Sequence, residues 1–343
     1  MKIAVLLTVI AIFANTVLSL PKIIQMDTIS VSKKILEAIK NTLETKHFTA
    51  ELLSELLHIS TDAAYRRLSG KVDLTLEEAT KLCSKYNLSI DNLTSLSNKK
   101  ISFDYFALFN EHFTDSYSIY LTALESSLQE VITTNGNIFV AAADIPIGFL
   151  LRYPNLMSFK LYCWRIDMVG PNKQVFFTTK AELNPYSQFF ARFPKLYEQA
   201  NSSELWCKHT FSSFIESLTF YRELGLIPDE ALNTLKNDLH DLLKDAETFA
   251  NERNKGGGGN FELYLSPLTL ANSIFLLDRN DKMTSFLKMY TINSIWTSNT
   301  LYCSEQKKWF EALINSSTKI SGSGMKERKR FFEDIHKQVD SIQ

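Results

Sequence analysis

Residues 49 to 70, TAELLSELLHISTDAAYRRLSG, carry apolar side chains at Leu53, Leu57, Ile59, Ala64 and Leu68, with small ones at Ser54 and Ala63. Spacings of four from Leu53 to Leu57 and from Ala64 to Leu68 give each half a single buried helical stripe. Thr49 and Ser60 stand where a side-chain oxygen accepts from the first orphan N–H groups of a helix. Between the halves, His58-Ile59-Ser60 leaves room only for a tight turn. The spacing therefore predicts two short helices locked across a turn, the second over Thr61 to Leu68.

Flanking patterns extend this unit. Ile35, Ile39 and Leu43 mark the stripe of an earlier helix, and Thr75-Leu-Glu-Glu78 is a capping box that opens a later one with Leu76, Ala79, Leu82, Cys83 and Tyr86 on one face. A fifth short turn after Ser89 carries Ile90 and Leu93. Polar, aperiodic Ser95 to Ser102 reads as a linker, which bounds an N-terminal domain at 26–97 and leaves 98–343 as a larger one, with a sub-boundary at 253–260. In that larger part we expect helices over 104–133, 155–166, 184–200, 208–224 and 228–252, a buried strand at NIFVAAAD, a flexible GGGG loop at 256–259, strands at FELYL, NSIFLLD and SFLKMY, and helices over 303–317 and 325–341. The expected class is mainly α with a small β component (α+β): a five-helix N-terminal bundle plus a C-terminal α+β domain.

A helix held rigidly across another pushes its N-terminal polar groups outward, which is the geometry that reads a DNA major groove. The outward residues here are Thr61, Asp62, Tyr65 and Arg66, followed by Arg67. Arg pairs with guanine, Thr meets a thymine methyl, and Asp accepts from cytosine. Lys71, after Gly70, and Thr49, at the start of the supporting helix, are placed for phosphates. The stretch LLSELLHISTDAAYRRLSGKVDLTLEEATKLCSKYNLSIDNL resembles the repressor-type (Cro and phage-repressor-like, XRE) helix-turn-helix family over residues 32 to 96. That resemblance implies a sequence-specific transcriptional regulator acting on double-stranded DNA. The remainder, through DIPIGFLLRYPNLMSFKLYCW and ISGSGMKERKRFF, resembles the body of large regulators of Bacteroidetes and implies no ligand. Two positions depart from the family pattern. His58 occupies a turn slot commonly held by glycine, and Arg67 occupies one that is often apolar, which leaves open whether Arg66 or Arg67 faces the groove.

Charge argues against strong binding by one copy. Met26 to Ser97 holds nine Lys and Arg against ten Asp and Glu, and affinity for DNA grows with the phosphates neutralised. Two copies are needed, so the C-terminal part is expected to form a homodimer and to sense a small-molecule or protein effector. The chain's first 25 residues pull the other way: a lysine, an apolar run from Ile3 and a small residue at Ser19 read as an export signal. Three accounts fit them: a start at Met26 with the upstream codons mis-assigned, a membrane tether formed by residues 3–20, or secretion. The first is favoured because Met26 directly precedes the domain, which gives a cytoplasmic protein.

Other features carry less. Cys83, Cys163, Cys207 and Cys303 lack metal-ligand spacing and read as buried thiols. The scattered histidines read as neither metal nor catalytic ligands, and no cofactor and no enzymatic activity are expected. Lys326-Glu-Arg-Lys-Arg330 reads as the wet face of a helix that buries Phe331, Phe332, Ile335 and Val339, and the aromatics of SFKLYCW and SQFFARF read as core before pocket. The competing readings are a protein-interaction domain without DNA affinity and an exported protein of other activity.

Overall fold

The computed structural model describes residues 30–43, 48–86, 88–90, 93, 101–108, 113–169, 175–179, 186–280, 282–290 and 292–343. The signal-like segment 1–25 and most of the expected linker lie outside the described residues. The chain divides into two compact units, residues 1–99 and 100–343, so the glycine-rich loop at 253–260 falls inside the second unit rather than between two.

In the first unit, α1 (Val31–Thr42), α2 (Ala50–Leu57), α3 (Thr61–Leu68) and α4 (Leu76–Lys85) follow one another, and Ile90 and Leu93 are helical beyond them. Each of the four begins with a hydroxyl cap: Ser30, Thr49, Ser60 and Thr75 all accept from the backbone N–H three residues on. Their stripes converge on one core of Ile35, Ile39, Leu53, Leu57, Ala64 and Leu82.

The second unit is built on an eight-stranded sheet in the order β1-β7-β6-β5-β2-β3-β4-β8, from β1 (Asp104–Tyr105), β2 (Asn137–Ala142), β3 (Asn201–Trp206), β4 (Phe261–Leu265), β5 (Ile274–Asp278), β6 (Met283–Met289), β7 (Asn293–Thr297) and β8 (Thr318–Lys319). β2, β3 and β4 run parallel, joined through helical crossovers, and every other pairing is antiparallel. The chain adds β3 and β4 on one side of β2 and then returns to lay β5 on the other. Helices α5 (Phe113–Thr133), α6 (Ile147–Leu150), α7 (Pro154–Val169), α8 (Ser187–Gln199), α9 (Ser212–Glu223), α10 (Asp229–Glu252) and α12 (Met325–Asp340) share the large core with the sheet face that carries Ile138, Val140, Trp206, Phe261, Leu277 and Phe286. α11 (Thr300–Asn315) covers the opposite face, where Cys303, Phe310 and Leu313 meet Ala141, Leu205 and Leu276.

The chain is thus α+β, with a larger sheet than the sequence suggested. The expected helix over 104–133 starts only at Phe113, because Asp104 and Tyr105 pair with Trp296 and Ile295 as an edge strand. Strands β3 and β7 escaped the hydrophobic pattern because polar residues occupy their buried positions: Ser202 and Glu204 on one, Asn293 and Ser294 on the other. The GGGG loop is packed rather than free. A Cβ on Gly259 would lie 2.4 Å from the Ala200 carbonyl oxygen, and Gly259 N–H donates to Glu198 O at 3.1 Å. Phe331, Phe332, Ile335 and Val339 are buried as expected, but Arg328 of the basic run is buried too. It donates to Ile320 O, Gly322 O and Asn251 Oδ1, tying the start of α12 to the end of α10.

Candidate nucleic-acid interface

The α2-turn-α3 segment owes its rigidity to its two ends. His58 closes α2 in the left-handed region (φ 56°, ψ 45°), and its N–H and that of Ile59 both return to Ser54 O. A side chain at positive φ is strained, although histidine tolerates it better than branched residues do. This is the conformation that a glycine in the same slot would adopt without cost. Ser60 then starts α3: its Oγ accepts from Ala63 N–H at 3.2 Å and its carbonyl from Ala64 N–H at 3.0 Å. Ala64 is fully buried against Leu53 and Leu57, so a methyl group sets how closely the two helices approach.

The groups left outside are Thr61, Asp62, Tyr65 and Arg66, all exposed, Tyr65 to 60%. Four-residue spacing puts Thr61 beside Tyr65 and Asp62 beside Arg66, one turn apart along the exposed face of α3, with Asp62 in its first turn and Arg66 in its last. Arg66 donates to Asp62 at 2.5 Å, an exposed pair that a stronger acceptor can displace at little cost. An eight-residue helix is about 12 Å long, comparable to the width of the major groove of B-DNA.

Arg67 is different. Its Nε and Nη2 donate to the two oxygens of Glu78 at 2.8 and 2.7 Å, its Nη1 donates to Ala63 O, and the paired side chains are only 14% and 13% exposed. Glu78 also accepts from Thr75 N–H in the capping box, so one carboxylate closes α4 and anchors α3. The Arg67 hydrogen bonds hold that carboxyl below its ordinary value of 4.5, with burial opposing them. Arg67 is therefore corrected from a base-reading candidate to a brace, and Arg66 is the arginine that faces outward. Sequence reasoning missed the pair because Glu78 already had a complete local role in the capping box; the signal available was an arginine in a slot that burial would make apolar.

Lys71 is exposed just past α3, where Gly70 (φ 72°) reverses the chain and Lys71 N–H returns to Arg66 O. Thr49 is exposed, its Oγ1 accepting from Leu52 N–H at 3.3 Å. The structure thus brings Thr61, Asp62, Tyr65 and Arg66 together on one short helix face, with Thr49 at the start of the supporting helix and Lys71 beyond α3.

The four cysteines are buried and unbridged. Among the described residues no helix is long and apolar enough to cross a membrane, and no group of three or more His, Cys, Asp or Glu side chains could hold a metal ion. No family model, no curated protein sequence and no solved structure matches this chain.

Proposed function

We propose that the chain is a sequence-specific DNA-binding transcriptional regulator, in which residues 32–96 form a five-helix DNA-binding bundle and α3 enters the major groove. The observation that carries this reading is the division of labour on α3. Ala64 and Arg67 are committed inward, while Thr61, Asp62, Tyr65 and Arg66 are left exposed along one face of a helix capped by Ser60. The resemblance to the repressor-type helix-turn-helix family points the same way. Arg66 is assigned to a base edge, Thr61, Asp62 and Tyr65 to neighbouring bases, and Lys71 and Thr49 to the phosphates. The second unit brings two copies together, since one near-neutral reading unit neutralises few phosphates, and it hosts an effector. A cytoplasmic location follows from this role.

The test is selection from randomised duplex DNA with the full chain, followed by titrations of the enriched sequence at several salt concentrations. We expect a two-fold symmetric enriched motif. Arg66→Ala should cost about 1–3 kcal/mol and relax preference at one base pair, whereas Lys71→Ala should weaken all sequences alike and reduce the salt slope by about 1. Failure to enrich any motif, together with salt-independent or absent binding, would discard the reading in favour of a protein-docking role for the same face.

A further inference from the structure

The second unit contains an apolar cavity of about 100 Å³ between α5 and the sheet, next to the β2–β5 boundary where the strand order turns back on itself. Tyr117, Leu128, Val140, Ile145, Phe286 and Ile292 are among the groups that enclose it. At one end its character changes. Ser273 and Lys288, whose backbones bond at 3.0 Å, sit two residues from Phe275 and Phe286 on the same sheet face, and Lys160 of α7 joins them in the lining.

These polar groups belong to a buried charge cluster. Asp144 Oδ2, just past the end of β2, accepts from Lys160 Nζ at 2.6 Å and from Lys288 Nζ at 2.7 Å, and its Oδ1 accepts from Ile145 N–H at 2.8 Å. The Lys160 side chain is 7% exposed. Among the described residues no other carboxylate pairs with either lysine. Two ammoniums against one carboxylate leave one positive charge in excess at a largely buried site, where the Lys288 side chain is 21% exposed and the Lys160 ammonium lies 5.5 Å from the centre of the Phe214 ring, an arrangement that favours a bound anion. Burial lowers the affinity of Lys288 for its proton, and Asp144 only partly offsets that.

Donors are in surplus as well. Each ammonium has three N–H groups and directs one at Asp144. The Ser273 Oγ accepts from Ala143 N–H and Asp144 N–H, both at 3.1 Å, which leaves its own hydrogen to donate elsewhere. Lys160, with Asp144, also lines a second cleft of about 430 Å³, so the charged end of the cavity adjoins that cleft.

We propose that this unit binds a small monocarboxylate with an apolar body, its carboxylate held by Lys160, Lys288 and the Ser273 hydroxyl and its body enclosed among Tyr117, Leu128, Val140 and Phe286. A single surplus charge matches a monoanion and disfavours a phosphate dianion. One water needs roughly 10–15 Å³ of such space, so the cavity accepts about eight water-sized groups, the size of a six- to eight-carbon acid. The inference deepens the effector role given to this unit, but its assay contains no DNA, so either idea can fail without the other.

The experiment is calorimetric titration of the full chain with hexanoate, octanoate, 1-hexanol and hexylammonium. We expect one saturable site for the acids, at least tenfold tighter than for the alcohol, and no binding of the amine. Lys288→Met should bring hexanoate down to the affinity of hexanol while leaving hexanol unchanged, and Leu124→Trp, which fills the cavity from its half-buried rim, should abolish both. Lys288→Arg should keep the preference for acid over alcohol. Equal affinity for acid and alcohol, absence of saturation by either acid, or an unchanged acid affinity in a folded Lys288→Met protein would overturn the proposal. Should Lys288→Met fail to fold by circular dichroism, the wild-type ranking of acid, alcohol and amine decides it alone.

Discussion

Replacing Arg67 by alanine separates bracing from reading on α3. The side chain makes two charge-assisted hydrogen bonds to Glu78 at 2.8 and 2.7 Å, with both partners about six-sevenths buried. Exposed ion pairs contribute about 0–1 kcal/mol, whereas removing one member of a fully buried pair costs about 3–5 kcal/mol. At this burial, and with Glu78 keeping its cap bond to Thr75, we expect a loss of about 2 kcal/mol, less a few tenths for the better helix propensity of alanine. All four tryptophans, Trp164, Trp206, Trp296 and Trp309, lie in the second unit, so fluorescence does not report this change. Hydrogen exchange does: amides of residues 61–85 in the full chain should open about 30-fold more often, the factor that corresponds to about 2 kcal/mol. The pH dependence has a fixed sign. Arg67 lowers the Glu78 carboxyl below 4.5, so the stabilisation is complete above that value and drains away as the pH falls through the folded-state value. The gap between wild type and Arg67→Ala should therefore be full at neutral pH and narrow in acid. Unchanged exchange at pH 7, or an Arg67→Ala protein that loses base preference as Arg66→Ala is expected to, would refute the assignment of the two arginines.

Three further outcomes follow from the geometry. His58→Gly should stabilise the first unit by up to about 1 kcal/mol, because glycine adopts the observed φ of 56° without strain; faster exchange in α2 and α3 would contradict this. Gly259→Ala forces a methyl against the Ala200 carbonyl and should lower the urea midpoint of the tryptophan-reported transition by the equivalent of about 3 kcal/mol; an unchanged midpoint would mean the loop yields freely. His240 and His336 meet through their Nδ1 atoms at 2.6 Å, and burial followed by His240 depresses the His336 ring below its ordinary value of 6.5. The unfolded chain then binds more protons, so stability is lost as the pH drops through about 6.5; exchange in α12 should rise on acidification in the wild type and less so in His336→Asn.

The first unit was legible because its signals are local. Caps at Thr49, Ser60 and Thr75 and four-residue apolar spacings each name their own helix, and these appear at the expected positions. The Arg67–Glu78 brace was not legible, since it joins residues eleven apart through a carboxylate with a sufficient local explanation. In the second unit the long helices and the strands at 137–142 and 261–289 followed the apolar pattern. β3 did not, because its inward positions are the polar Ser202 and Glu204, whose burial rests on hydrogen bonds that apolar spacing does not show: Lys255 donates to Ser202 Oγ at 2.9 Å, and Trp206 Nε1 and the Tyr197 hydroxyl donate to Glu204. The lysine cluster at Asp144 was equally hidden, as Lys160 and Lys288 stand 16 and 144 residues from Asp144 and reach it from a helix and a strand.

Both margins of the sheet end in strands of two residues, β1 and β8. Strands that short offer almost no backbone ladder for another chain to continue. Self-association by running one sheet into the next is therefore disfavoured at these two strands, and a pairing of copies through this unit is better served by side-chain packing between helical surfaces. Its strength would follow from apolar area and not from backbone hydrogen bonding, which makes it tunable by single surface substitutions.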